Sequence, residues 1–337
     1  MYVREEKRKK IRFGSFTYRK EELLMQKIYL TENGIVKECD SIVKNCWVAL
    51  TDPTNAEITQ IAQQFHIDIS DVRASLDEEE RSRIETEDDY TLIVVDIPII
   101  EERNGKDWYE TIPLGIIMTE DVIFTICLEE TPVLSAFVKG RVRGFHTHMK
   151  TRFILQILYR NASLYLQYLR NIDKKSEEIE RNLKKFTKNK ELLELRELEK
   201  SLVYFNTSLR ANELVMERLM RNEKIKKYPE DTDLLEDVIV ENKQAIEMAN
   251  IYSGILSGTM NTFSSVISNN LNISMKLLAS ITIIMSIPTM IASFYGMNLN
   301  VDGMPFAHSP YGFWIVIGIA ALLSGIVAII FKRKNMF

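Results

Sequence analysis

The sequence predicts an α+β domain followed by a long stalk helix and a two-helix membrane hairpin. Three observations carry this. β-branched runs broken by turn signals fill roughly the first 135 residues, and from Thr151 the pattern is purely helical. The last fifth holds two stretches without a charged residue, 277–295 and 311–331. Each is about the length that spans a hydrocarbon core, ~20 residues at 1.5 Å rise.

Taken in order, residues 1–150 form the α/β domain. "TENG" is a turn signal, and "CWVALTDPTNAEITQIAQQFHI" reads as a strand, a turn at Asp52-Pro53 and a helix from about Thr54. "DYTLIVVDIPII" and "TIPLGIIMTEDVIFTICLE" read as strands of an antiparallel or mixed sheet. Residues 151–230 hold two antiparallel helices with apolar residues at i, i+3, i+4 and i+7, separated by a turn at "TKNK". Pro229 ends the second, and Asp231 or Thr232 can cap the next.

One helix then runs from about Leu234 to Gly296, some 90 Å long at 1.5 Å per residue. It comprises a stalk, 231–276, and the first span, 277–296. An external loop, 297–310, the second span, 311–331, and a basic tail, 332–337, complete the chain. A rod shared by body and membrane can transmit events from one to the other.

Composition narrows the function. The chain has 337 residues, 46% of them hydrophobic, and a net charge of −4, which gives no reason to expect nucleic acid. Cys39, Cys46 and Cys127 show no C-x-x-C spacing. "MYVREEKRKK" leads into no apolar run, so no signal peptide is expected. There is no nucleophile–base arrangement, P-loop or G-x-G-x-x-G, so neither an enzyme nor an organic cofactor is expected. Lys276 precedes the first span; Lys332, Arg333 and Lys334 follow the second; the loop 296–310 has no Lys or Arg. The positive-inside rule then places both termini in the cytoplasm of a cell whose plasma membrane holds the hairpin.

On a helical wheel, Asn272, Thr282, Ser286, Thr289 and Ser293 fall within an arc of roughly 100°. Ile273, Leu277, Ile281, Ile284 and Ile291 lie opposite, and Ser274 and Ser280 lie off the arc. Asn261, Ser264 and Ser268 continue the face upstream. Two readings compete. Small hydroxyl residues mediate tight helix packing in lipid, or they line a water-filled pore. Two spans cannot enclose an aqueous path, so a pore requires several chains. The second span has no comparable stripe, which makes it the outer helix and favours a pore. The arc has no Asp, Glu, His or Cys, and Met275 is its sole sulfur. Neutral oxygens suit a cation that dehydrates reluctantly, of which Mg²⁺ is the clearest case, whereas a soft metal calls for His or Cys.

"FYGMN", at the end of the first of two C-terminal spans and followed by a short loop and a basic tail, resembles the signature of the CorA family of magnesium and cobalt transporters and channels. The resemblance covers the whole chain, by motif at the C-terminus and by pattern elsewhere. It implies a homopentameric channel with a cytoplasmic α/β funnel and a pore lined by the first span. Gly296, Met297 and Asn298 are implied as the selectivity filter, with Asn272, Leu278 and Thr289 at family pore positions. Where some relatives carry a bulky gate residue this chain has Ser286, which leaves Leu278 to dominate the constriction. Regulatory Mg²⁺ between subunits implies Asp237 on the stalk as one ligand and Glu101 as its partner. "GMPFAHSP" departs from the family in having Phe306 where many relatives carry an acid, and Asp302 is the sole acid of the loop. The implied activity is passive influx of Mg²⁺, with Co²⁺ or Ni²⁺ as further cargo, closed by intracellular Mg²⁺. A Zn²⁺ transporter of the same superfamily and a non-transporting coiled-coil scaffold are the alternatives.

Two other stretches have blander readings. "DEEERSRIETEDD" reads as a solvated helix face, and His146 and His148 as a surface pair.

Overall fold

The computed structural model describes residues 26–103, 105–185, 189–222, 229–297, 303–306 and 308–334. The chain divides into two compact units, one ending at Gly258 and the other starting at Thr259.

In the first unit, strands β1 (Gln26–Glu32), β2 (Ile35–Cys39), β3 (Trp47–Thr51), β4 (Arg83–Thr86), β5 (Tyr90–Arg103), β6 (Lys106–Thr119) and β7 (Ile123–Cys127) form one sheet. Their order is β2-β1-β3-β7-β6-β5-β4. β3 and β7 pair in parallel, Val48 opposite Phe124, while the other pairings are antiparallel. The sheet is therefore mixed. Asn33 and Gly34, both at positive φ, form the β1–β2 turn, the geometry an Asn-Gly pair favours. Helix α1 (Asn55–Phe65) starts at a complete capping box between Thr54 and Glu57.

Both faces of the sheet are covered. On one, Ile58 and Ile61 of α1 and Val72 of α2 (Ile69–Ala74) pack on Val48, Leu50, Leu92, Val94, Phe124 and Ile126. On the other, Trp47 meets Phe137 of α3 (Pro132–Val138), Phe145, and Phe153 of α4 (Lys150–Lys185) edge-on, with ring centroids 6.3, 6.1 and 5.0 Å away. Its indole N–H donates to Thr125 Oγ1 at 2.9 Å. Tyr165 of α4 packs on Phe205 of α5 (Asn189–Arg221) at 5.0 Å. Double coverage explains why the central strands read as nearly continuous apolar runs.

Asp96 of β5 joins these layers. Its carbonyl accepts from Asn161 Nδ2 and Asn212 Nδ2, both at 2.8 Å, and from Tyr165 O–H at 3.2 Å. Its N–H donates to Asn212 Oδ1 at 2.9 Å. One backbone position thereby ties the sheet to both α4 and α5. Burial raises the pKa of its carboxyl group, opposed by hydrogen bonds from Ser208 and Ser82.

Two expectations need correction. The acidic stretch 77–89 is not a helix face: it contains β4, the edge strand paired with β5. Arg83 bonds Glu80 and Glu85 at 2.6 and 2.8 Å, and a charged edge of this kind resists pairing with another chain. Pro229 does not end α5 but begins α6 (Pro229–Tyr295), where its missing N–H has no intrahelical role. The turn at 223–228 lies outside the described residues, as do 186–188 of "TKNK".

Helix α6 has 67 residues, about 100 Å at 1.5 Å each. In the first unit it buries Leu235, Val238, Ala245 and Ala249, and Asn242 donates to the Leu209 carbonyl of α5 at 3.0 Å. The rest of α6 and α7 (Gly312–Arg333) belong to the second unit, and both helices are long and apolar enough to cross a membrane.

The raised pKa of Asp96 sets a pH test. Its folded state prefers the neutral carboxyl, so that contribution is complete below the ordinary aspartate range and is lost as pH rises through the raised value. Asp96→Asn, neutral at every pH, should gain stability over wild type between pH 4 and pH 7, read as a growing difference in melting temperature. An equal difference at both pH values would contradict this account.

Candidate ion path along the C-terminal helix pair

An α-helix in hydrocarbon must satisfy each of its backbone groups internally. Pro288 inside α6 has no N–H, so the carbonyl four residues back, on Ile284, has no helical donor. Ser324 Oγ of α7 approaches that carbonyl at 3.5 Å. The contact places Ser324 against α6, where Ser280 is fully buried and Ala320 of α7 nearly so.

This fixes which face α7 covers. Ser280, Ile284, Ile287 and Ile291 recur at spacings of 4, 3 and 4 and are the buried or half-buried positions of this stretch. At 100° per residue they centre roughly 160–200° from Thr282, Ser286, Thr289 and Ser293. The hydroxyl arc is therefore turned away from α7. Asn272, Leu278, Thr282, Ser286, Thr289 and Ser293 are all exposed, Leu278 by 67%.

Three of the hydroxyl hydrogens on the arc are already committed. Thr282 Oγ1 donates to the Leu278 carbonyl at 2.8 Å, Ser286 Oγ to Ile283 at 2.8 Å and Thr289 Oγ1 to Met285 at 3.1 Å. A hydroxyl whose proton is bound to its own helix offers only its lone pairs outward. Such oxygens accept hydrogen bonds from the water shell of a cation. They carry no charge that would bind the ion too firmly to release.

At the end of α6, Gly296 N–H donates to the Ala292 carbonyl at 2.9 Å and Met297 N–H to Phe294 at 3.4 Å. Gly296 is not at positive φ, and an added Cβ would lie 3.4 Å from the Ala292 carbonyl, an ordinary contact. Neither the turn nor packing inside one chain demands glycine there. Asn298 and Asp302 lie outside the described residues.

The return loop is tied down. Tyr295 O–H donates to the Pro305 carbonyl at 2.8 Å. Phe306 stands at φ +66°, which a bulky residue seldom adopts. A Cβ on Gly312 would meet the Phe306 carbonyl at 2.3 Å, so that glycine is required. In the sequence Phe306 is marked only as atypical, and Gly312, Tyr295 and Ser324 carry no assigned role, although counting back four from Pro288 leads to the carbonyl that Ser324 faces.

The two expected regulatory ligands are not joined by a hydrogen bond or ion pair. Asp237 is exposed on α6. Glu101, on β5, is paired with Arg103, which also holds Glu110 at 2.8 Å. Glu101 also belongs to an acidic neighbourhood: burial foremost, and then Glu101, Glu78 and Asp52, raise the pKa of the Glu129 carboxyl. No group of three or more His, Cys, Asp or Glu among the described residues is arranged to hold a metal. The rings of His146 and His148 are 5.3 Å apart, with no third ligand in such a group.

The family model for the CorA-like Mg²⁺ transporter protein matches residues 44–333. The cobalt/magnesium transport protein CorA of Methanocaldococcus jannaschii is 29% identical over 298 residues, covering 86% of this chain and 90% of that one. The complete structure of the M. jannaschii CorA magnesium transporter superposes with a TM-score of 0.80 at 26% identity, covering 93% of this chain and 99% of the other. The cytoplasmic domain of ZntB from Vibrio parahaemolyticus shares the fold at a TM-score of 0.55 and 13% identity, over 72% of this chain and 96% of that one. Two apolar helices, a hydroxyl arc on the face of α6 turned away from α7, and a family match over most of the chain agree: this protein belongs to the CorA-like Mg²⁺ transporter family.

Proposed function

We propose that the chain is a subunit of a homopentameric channel that passes Mg²⁺ into the cell, with Co²⁺ or Ni²⁺ as further cargo. The observation that carries this reading is the hydroxyl arc: it is exposed, faces away from α7 and at Thr282, Ser286 and Thr289 turns acceptor lone pairs outward. Around a symmetry axis each position becomes a ring of oxygens, with Asn272 and Leu278 at the inner end and Ser293 at the outer. Gly296, Met297 and Asn298 form the filter at the mouth, where amide oxygens meet the hydrated ion.

Both termini are cytoplasmic and the loop is external, on the evidence of the flanking charges. Membrane potential drives the flow, about 4–5 kcal/mol for a divalent ion at roughly 100 mV. The relatives' magnesium and cobalt names support this cargo. Donor chemistry favours it over Zn²⁺, because the arc has neither His nor Cys.

Intracellular Mg²⁺ closes the channel by bridging carboxylates of neighbouring subunits, Asp237 of one and Glu101 of the next. Asp237 is exposed and free for that role; Glu101 has to exchange its Arg103 partner for the ion. When the ion leaves, the carboxylates repel and the subunits separate.

Two measurements test this. Liposomes containing the full-length protein should take up Mg²⁺, and Asn298→Ala should abolish that uptake or its discrimination against monovalent ions. Unchanged uptake by the variant would remove Asn298 from the filter, and no uptake by correctly inserted pentamers would favour a scaffold. Asp237→Ala should keep currents flowing at millimolar internal Mg²⁺, whereas continued closure would mean that Asp237 is not a sensor.

A further inference from the structure

A cavity of about 400 Å³ lies between α3 with the segment after it and the middle of α4, wholly inside the first unit. Lys139, Arg141 and Arg160 line it, and no Asp or Glu does. None of these three cations forms an ion pair among the described residues. Glu241 approaches one side, where it accepts a hydrogen bond from Ser163 Oγ at 3.0 Å, but it pairs with none of them.

The Nε of Arg160 is buried and has no hydrogen-bond partner. Desolvating a guanidinium donor without a partner costs free energy, so such groups in native proteins are normally satisfied. Burial first, and then the like charge of Arg141, lower the pKa of the Arg160 guanidinium. The cavity thus holds concentrated positive charge that an anion would relieve. Two planar guanidinium forks and a nearby ammonium group match phosphate oxygens in geometry and charge. The volume falls in the range of small-molecule sites and is far larger than one phosphate group needs. Tyr159, half-exposed on the same lining, supplies an aromatic face.

We propose that this cavity binds a phosphate-bearing anion of nucleotide size, with its phosphates on Lys139, Arg141 and Arg160 and its base against Tyr159. The site lies on the sheet-bearing unit and does not depend on the pore reading.

The test is equilibrium dialysis of the full-length oligomer, without divalent cations, against ATP and separately against labelled orthophosphate. ATP should bind saturably at one per chain, and orthophosphate should compete for the same site. Arg160→Gln and the exposed Arg141→Gln should each weaken both by at least about tenfold, with melting temperatures showing that the variants stay folded. Tyr159→Ala should weaken ATP alone. Absence of saturable binding by either probe, or binding unchanged in folded Arg160→Gln and Arg141→Gln, would overturn the proposal. Orthophosphate binding with ATP excluded would overturn the nucleotide-sized ligand.

Discussion

The C-terminal pair of helices is governed by one constraint: in hydrocarbon, every backbone and side-chain polar group needs a partner inside the protein or in water. Pro288 breaks the hydrogen-bond ladder of α6 at Ile284, and Ser324 of α7 stands at the exposed carbonyl. Satisfying that one group orients α7 on one face and leaves the opposite face uncovered. The uncovered face is where the hydroxyls are. At Thr282, Ser286 and Thr289 the hydroxyl proton bonds to the same helix, so these groups are polar without demanding a protein partner.

The first unit solves the same problem in water by a different route. Its sheet is covered on both sides, so the polar backbone of β5 is paired within the sheet or held by side chains from the helices. Asp96 concentrates that role, meeting Asn161 and Tyr165 of α4 and Asn212 of α5. α6 then buries an apolar stripe and adds Asn242 to the Leu209 carbonyl. Helix α6 thereby carries both a stripe buried in the first unit and, in the second, the hydroxyl arc.

Much of this was legible because it depends on local chemistry. The Thr54–Glu57 capping box, the Asn33-Gly34 turn and the uncharged spans follow from residues close in sequence. Long-range pairing was harder to see. The parallel match of β3 with β7 joins residues more than seventy positions apart, and no local signal encodes it. Arg83 turns an acidic stretch into an edge strand by pairing with Glu80 and Glu85, which a helical reading of the charges missed. The pairing of Glu101 with Arg103 on the same strand was hidden for a simpler reason: alternate residues of a strand share a face, and the ligand assignment came from resemblance rather than from that register. Around the loop between the two apolar helices, the sequence marked Gly296, but the backbone requires Gly312, which has to clear the Phe306 carbonyl.

The central claim is that the hydroxyl arc faces water while the opposite face is sealed by α7. It can be read by thiol accessibility in a background without Cys39, Cys46 and Cys127. Single cysteines at positions 282, 286, 289 and 293 should react with a small, membrane-impermeant, water-soluble thiol reagent, and cysteines at 280, 284, 287 and 291 should not. Equal reactivity on both faces, or protection of the arc with labelling opposite it, would contradict the account.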